Sequence, residues 1–422
     1  MTIRAIDISK LALYGIFLNY YFYFIIRGSF IPMGTYIFLA VAVIGVIVTM
    51  GKKPKKLDFE IKCWIWYFVY SIVTIVIAQS TSDAVDGLVK FFQRTLFIIL
   101  ITLICEYEKS INFALRLMAV TAVACAAATL MNMNDYSQKL TVESGANVST
   151  NDIGSIMAFG CFAILFAFGV GNKSKAYKTI MKIAFIIAAI AVISIAGSRK
   201  SILAIIIMFA AMFILCGRDY FKRMTSVQFM GIVILGLVAL YFVYSYLLPY
   251  FEDTNLYVRM FGRGAERTAE SDDGRWELYA SAMNEFLSHF LFGLGFNNYI
   301  YQHGMYTHST YVEPLACSGI FGLLYLIPYI SILYKQIKLS FSKDAAFSKT
   351  NRVFQKEMLA FYIAFLFVGI GIPYLYKDIP CIILAMYISW QRTSLDELGL
   401  RSYKKNKYLG YDKITDTISS CS

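Results

Sequence analysis

Charge is scarce in this chain. Asp, Glu, Lys and Arg together make up 16% of its 422 residues, while 58% are hydrophobic. A water-soluble domain carries about 25% charged and 45–50% apolar residues, so a soluble globular fold is excluded. Histidine is scarcer still, with only His289, His303 and His308. No CxxC and no His/Cys cluster is present, so neither a metal nor another cofactor is expected. None of the eight cysteines falls in a connection assigned below to the outer side, which excludes a disulfide framework. The apolar runs are continuous rather than alternating, which excludes a closed β-barrel. The first run lacks a small-residue cleavage site and reads as a retained span rather than a signal peptide. No internal repeat supports an inverted-repeat transporter.

What is present is a series of apolar segments, each near the ~20 residues that cross a bilayer. Twelve begin near Leu11, Ile31, Trp64, Leu88, Ile111, Ile153, Ile180, Ser201, Phe229, Ser309, Met358 and Ile379. The last is short and suits a hairpin with its neighbour. The fold class is therefore all-α, a polytopic helical bundle forming one integral membrane domain over 1–422. If the N-terminus lies inside and the segments alternate, the inner connections hold 28 of the 39 Lys and Arg, as at Gly51–Lys56 and Tyr334–Lys338. This is the positive-inside pattern. The net charge of +12 thus reports topology and does not call for a nucleic-acid partner. Both termini are expected inside, with 391–422 as a cytoplasmic tail. Tyr and Phe gather at span ends, as interfacial belts do.

Two outer connections are long: Met131–Asp152 and Pro249–Thr307, the latter holding Arg259, Arg263, Arg267 and Arg275. Within it Trp276, Tyr279, Ala280, Met283, Phe286, Leu287 and Phe290 recur at helical spacing. They predict an amphipathic helix on the outer face, capped by Asp272 or Asp273 and ended by Gly293 or Gly295. One outer connection is very short. The sequence GSRK joins two spans and sets Arg199 and Lys200 at the outer boundary, where snorkelling is the plain alternative. Lys90 and Arg94 are read as snorkelling anchors too.

The stretch from Asp273 to Leu333 concentrates ionisable outer residues against a span. Arg199, Arg275 and His308 face the same side on this topology. Guanidinium groups bind phosphate oxygens in bidentate fashion. An imidazole takes a proton from a hydroxyl near neutral pH. Glu313 precedes Pro314, so it reads either as a polar partner or as the cap of a helix starting at Pro314.

These residues also carry a resemblance. The turn Gly197–Arg199, the pair Arg275–Trp276, the block Phe292–Tyr299 and the run His308–Gly322 resemble the bacterial O-antigen ligase and Wzy-type polysaccharide polymerase superfamily. The likeness covers roughly Asn151 to Leu333, and many members have His-Asn where this chain has His308-Ser309. It implies a GT-C-type glycosyltransferase that needs neither a metal nor a nucleotide sugar. It implies a bacterial inner-membrane location and an undecaprenyl-pyrophosphate-linked oligosaccharide as partner, with membrane lipid and with a chain-length regulator and flippase of the same pathway. Carried over, Arg199 and Arg275 would hold the pyrophosphate and His308 would deprotonate the acceptor hydroxyl. Ser198, Lys200, Tyr311 and Glu313 are candidates for binding substrate beside them. The leading expectation is polymerisation of lipid-linked repeat units. A ligase shares the chemistry with another acceptor. A flippase would carry charges along a central path through its spans, and most spans here lack them.

Overall fold

The computed structural model describes residues 4–26, 31–51, 57–131, 150–167, 176–221, 264–342 and 349–394. These are mostly helical, with no strand among the described residues. The helices are α1 (Ala5–Ile26), α2 (Ile31–Met50), α3 (Phe59–Thr74), α4 (Thr81–Glu108), α5 (Asn112–Met131), α6 (Thr150–Ala167), α7 (Ala176–Ala196) and α8 (Arg199–Phe221). Then come α9 (Gly264–Ser288), α10 (Tyr299–His303), α11 (Val312–Ser318), α12 (Leu323–Ser340), α13 (Lys349–Gly369) and α14 (379–394). Among the described residues, five stretches are long and apolar enough to cross a membrane: Phe59–Ile77, Thr81–Glu108, Asn112–Leu130, Arg199–Gly217 and Val312–Ser340. Shorter apolar helices cover Gly34–Met50, Asn151–Phe166 and Ile180–Ser194. The chain is an all-α polytopic membrane protein. The expected span near Phe229, most of Met131–Asp152, Arg259, Arg263, the cluster around Lys53 and the tail beyond residue 394 lie outside the described residues.

Contacts run from helix to helix in a closed course. α1 packs on α2 and α5, α5 on α6, α6 on α7 and α8, α8 on α13, α13 on α12, α12 on α3, α3 on α4 and α4 back on α5. Inside this ring stands α14. Its residues Cys381 to Ile388 are all nearly inaccessible. Tyr387 donates to the Met358 carbonyl of α13 (2.6 Å) and Gln391 to the Ile332 carbonyl of α12 (2.8 Å). The short final segment packs on its neighbour α13, as expected of a hairpin, and is also the central helix of the bundle. By contrast Ile206, Phe213 and Ile214 of α8 and Ile183 and Ile187 of α7 are exposed, which suits contact with lipid. Small residues allow close helix approach. A Cβ on Gly160 would collide with Ala122 of α5, and one on Gly45 with Ser9 of α1.

The ends of the bundle are chemically sorted. At one end Arg392 reaches Asp58 (3.2 Å) and Glu106 (2.7 Å), Lys335 reaches Glu60 (2.6 Å), Lys356 reaches Asp219 (2.7 Å), and Lys10 pairs with Glu108. The connections expected inside meet there. The connections expected outside meet at the opposite end. Asn298 and Asn297 bind the start of α4 there, Asn298 Oδ1 accepting from Ser80 N at 2.8 Å and Asn297 Nδ2 donating to the Asp83 carbonyl at 2.8 Å.

Candidate functional site

The site is built on that second end, around His308. His308 lies between α10 and α11 with φ of 57°, in the left-handed region. A non-glycine residue there is strained unless its surroundings fix it, and both neighbours are fixed. Thr307 donates from its backbone N and from Oγ1 to Glu313 Oε2, each at 2.7 Å. Ser309 N donates back to Thr307 Oγ1 at 3.2 Å. Thr310 N donates to the Gly369 carbonyl (2.9 Å) and Thr310 Oγ1 to the Ile372 carbonyl (2.5 Å). Tyr306 meets the imidazole edge-on, with ring centroids 5.1 Å apart.

The half-buried imidazole is ringed by cations. Burial first, then Arg275 of α9, Lys200 of α8 and Lys377, with Asp152 of α6 opposing, bring the His308 pKa from 6.5 down to about 4. His308 is therefore neutral near pH 7 and able to accept a proton.

The elements that carry these cations are held by identifiable contacts. Gly197 closes α7 at φ of 65°, which lets α8 start at once on Arg199. Ser198 bonds to Ser201 (2.7 Å) and Asn151 (3.5 Å), and is 1% exposed. Lys200 Nζ donates to the Gly371 carbonyl at 3.2 Å. Arg275 shares one face of α9 with Tyr279 and Ala282. Tyr279 donates to the Ile370 carbonyl at 2.6 Å, and Ala282 is fully buried.

The segment from Gly369 to Asp378 ties these pieces together. It receives Thr310, Lys200 and Tyr279 at its carbonyls, and Tyr374 N donates to Thr310 Oγ1 at 3.0 Å. Tyr376 donates to Glu313 Oε1 at 3.4 Å. Lys377 Nζ then pairs with Asp152 Oδ2 at 2.6 Å. Next to it Asp378 Oδ1 lies 3.1 Å from Arg94 Nε of α4.

Several expectations are corrected. Asp272 and Asp273 do not cap α9, because the helix already starts at Gly264, through Ala- and Glu-containing sequence that favours helix. Neither Gly293 nor Gly295 ends it, since it stops at Ser288 and Gly293 lies in the turn beyond. The apolar set on α9 divides between two faces. Tyr279 and Phe286 turn toward the protein, while Trp276 (68% exposed), Ala280, Met283 and Leu287 face outward, as does Phe290 in the turn beyond the helix. Glu313 lies inside α11, which begins at Val312, so it is not the cap of a helix starting at Pro314. Arg94 does not snorkel. Its side chain is 13% exposed and pairs with Asp378 at 3.1 Å, whereas Lys90 is an exposed partner of Asp86.

Of the residues expected to act, Arg275, Lys200 and His308 converge. Arg199, half-buried, opens α8 beside Lys200. Ser198, Tyr311 and Glu313 are engaged within the fold: the Tyr311 hydroxyl donates to the Leu366 carbonyl (2.5 Å), and Glu313 is 1% exposed. Sequence reading missed Asp152, Lys377, Thr307 and Thr310. A Lys-Asp pair in the short link between two apolar segments was the signal available for Lys377.

Residues 183–327 match the family model described as O-antigen ligase, so this part of the chain is similar to that family, consistent with the O-antigen ligase and Wzy-type superfamily. The match runs from α7 into α12 and takes in Arg199, Lys200, Arg275, His308 and Glu313, while Asp152 and Lys377 fall outside it. No curated protein matches the chain. The family relation and the bundle together support a membrane function of the O-antigen ligase or polymerase type.

Proposed function

We propose that this chain polymerises undecaprenyl-pyrophosphate-linked oligosaccharide repeat units into a surface polysaccharide at the outer face of the cytoplasmic membrane. The observation that carries the reading is a neutral histidine, fixed in a strained conformation, set among Arg275, Lys200 and Lys377. A base beside an excess of positive charge suits a reaction in which a hydroxyl loses a proton while an anion departs. In this reading the acceptor hydroxyl of one lipid-linked unit attacks the anomeric carbon of the growing chain. The new C–O bond forms as the bond from that carbon to the pyrophosphate oxygen breaks. The electron pair leaves with undecaprenyl pyrophosphate, and the hydroxyl proton passes to His308. Arg199 and Arg275 compensate the departing charge, and Lys200 adds to it. Glu313, Ser198 and Tyr311 position the loops rather than touch substrate, since their polar atoms bond within the fold.

The test is conversion of purified lipid-linked repeat units to longer chains by the purified protein, with no added metal or nucleotide sugar. His308→Ala should slow transfer by roughly 10²–10⁴-fold, the usual worth of a positioned proton acceptor. His289→Ala and His303→Ala should be mild, because both rings bond to Glu285 away from this cluster. Full turnover by folded His308→Ala protein would remove the proposed base. Transfer to a different acceptor with no chain growth would instead favour the ligase reading, which shares every residue named here.

A further inference from the structure

Two ion pairs clamp the entry to the central helix, Lys377 to Asp152 of α6 and Asp378 to Arg94 of α4. They differ in which end is open: in one the carboxylate is exposed (Asp378 43%, Arg94 13%), in the other the ammonium group is the more exposed (Lys377 25%, Asp152 12%). The Lys377 pair is also bracketed by the reaction centre. On one side Tyr376 bonds Glu313, and its ring lies 6.1 Å from that of Tyr306, which packs on His308. On the other side Asn151 bonds Ser198, which directly precedes Arg199 and Lys200. Four cationic residues, Arg199, Lys200, Arg275 and Lys377, thus belong to the segments that meet here, while Asp152 is the carboxylate acting on His308. A pyrophosphate diester, with one negative charge on each phosphorus, is the kind of anion that this excess suits.

We propose that Lys377 is a further pyrophosphate-binding residue, parked on Asp152 when the site is empty and transferred to the lipid pyrophosphate when the donor binds. This rests on the pyrophosphate-donor reading above. Asp152 is then a competitor for the same ammonium group, and donor binding breaks a 2.6 Å ion pair. Lys suits such a role: its charge sits on a flexible four-carbon stem, and it binds phosphate as a point charge with no fixed fork to align. A purely structural strut behaves differently, because removing either end of a strut has the same consequence.

The experiment is binding of undecaprenyl pyrophosphate to the full-length protein in detergent, with undecaprenol as the uncharged control, for wild type, Lys377→Met, Asp152→Asn and Arg275→Gln. Lys377→Met should weaken binding about tenfold, the worth of one charge-assisted contact. Asp152→Asn should tighten it, since the competitor is gone and Lys377 stays. Lys377→Arg should retain most of the affinity. Opposite signs for the two ends of the pair are the signature. Equal weakening by Lys377→Met and Asp152→Asn would make the pair a strut and overturn the proposal, as would no change in either. If wild type does not prefer undecaprenyl pyrophosphate to undecaprenol, the donor reading itself fails. If wild type does prefer it and Arg275→Gln weakens binding while Lys377→Met does not, only the role of Lys377 fails.

Discussion

The pH dependence of transfer follows directly from the surroundings of His308. A general base works in its neutral form, so the acid limb of kcat/KM reports its pKa in the free enzyme. Burial, then Arg275, Lys200 and Lys377, against Asp152, bring that value from 6.5 to about 4. At pH 5.5 a histidine of pKa 4 is about 97% neutral, whereas one of pKa 6.5 is about 9% neutral. Lowering the pH from 7.5 to 5.5 should therefore leave kcat/KM nearly unchanged, where an unperturbed histidine would lose about tenfold. The donor adds no step of its own, since pyrophosphate diester oxygens stay ionised throughout this range. The assay is initial-rate chain extension across pH 4 to 8 at subsaturating lipid-linked donor, with folding checked at each pH. Arg275→Gln removes the largest charge acting on the ring, so its acid limb should move upward. A wild-type limb centred near pH 6.5 would refute this picture, and with it the idea that burial and the cations keep the base neutral. The depressed pKa also sets a sign for stability. The unfolded chain binds this proton first, so the contribution of His308 is intact above about pH 6.5 and is lost as the pH falls toward 4.

Arg275→Lys should lose most activity although its charge remains, because a bidentate grip needs guanidinium; the same is expected of Arg199→Lys, and normal chain extension by either would remove that arginine from the site. Gly371→Ala tests the position of Lys200, because a Cβ there would collide with Lys200 Nζ. The far end of a lysine moves aside easily, so the variant should fold but extend chains about tenfold more slowly, like Lys200→Met, and the double variant should be no slower than either; a fully active Gly371→Ala protein would show that the Lys200–Gly371 contact has no bearing on transfer. Glu313→Ala leaves Thr307 without its two 2.7 Å bonds and releases a strained His308 backbone, so turnover should fall by about tenfold or more, with Glu313→Gln intermediate; measured kcat at the wild-type level would mean the loop holds its shape unaided. A cysteine introduced at Ser271 should be labelled by an impermeant reagent added outside intact cells and one at Ser342 should not, and the reverse would overturn the orientation.

How much of this was readable beforehand depended on the kind of force involved. Apolar runs and the Lys/Arg asymmetry located the helices because crossing a bilayer demands length and apolarity, whatever the tertiary packing. The GSRK link was readable because two apolar runs separated by so few residues allow only a tight turn, and Gly197 at φ of 65° supplies it. The centre of the bundle was not readable in this way. A helix enclosed by protein and one facing lipid have the same composition, so nothing in the run from Cys381 to Ile388 marked it as central. The pairs 152–377 and 94–378 were hidden for another reason, being charges hundreds of residues apart whose encounter is decided by the fold.

Helix α9 joins both lessons. In water its apolar stripe would have to face the protein, and periodicity alone would orient the helix. At a membrane surface a stripe has two apolar surroundings to choose from, and the residues divide between them. Arg275, Tyr279 and Ala282 lie on one face, Trp276, Ala280, Met283 and Leu287 on the next, one residue further round. The first face is fixed by the Tyr279 bond to Ile370 and by the close packing of Ala282. The second is left to the lipid headgroup boundary, where Trp is favoured. A one-residue offset on a single helix thus holds Arg275 toward His308 while leaving the adjoining apolar side chains exposed, as a membrane boundary would require. On the proposed reading, exposed Trp276 would fix the level of the helix in the interface and so set its neighbour Arg275 at the depth of a lipid-borne pyrophosphate.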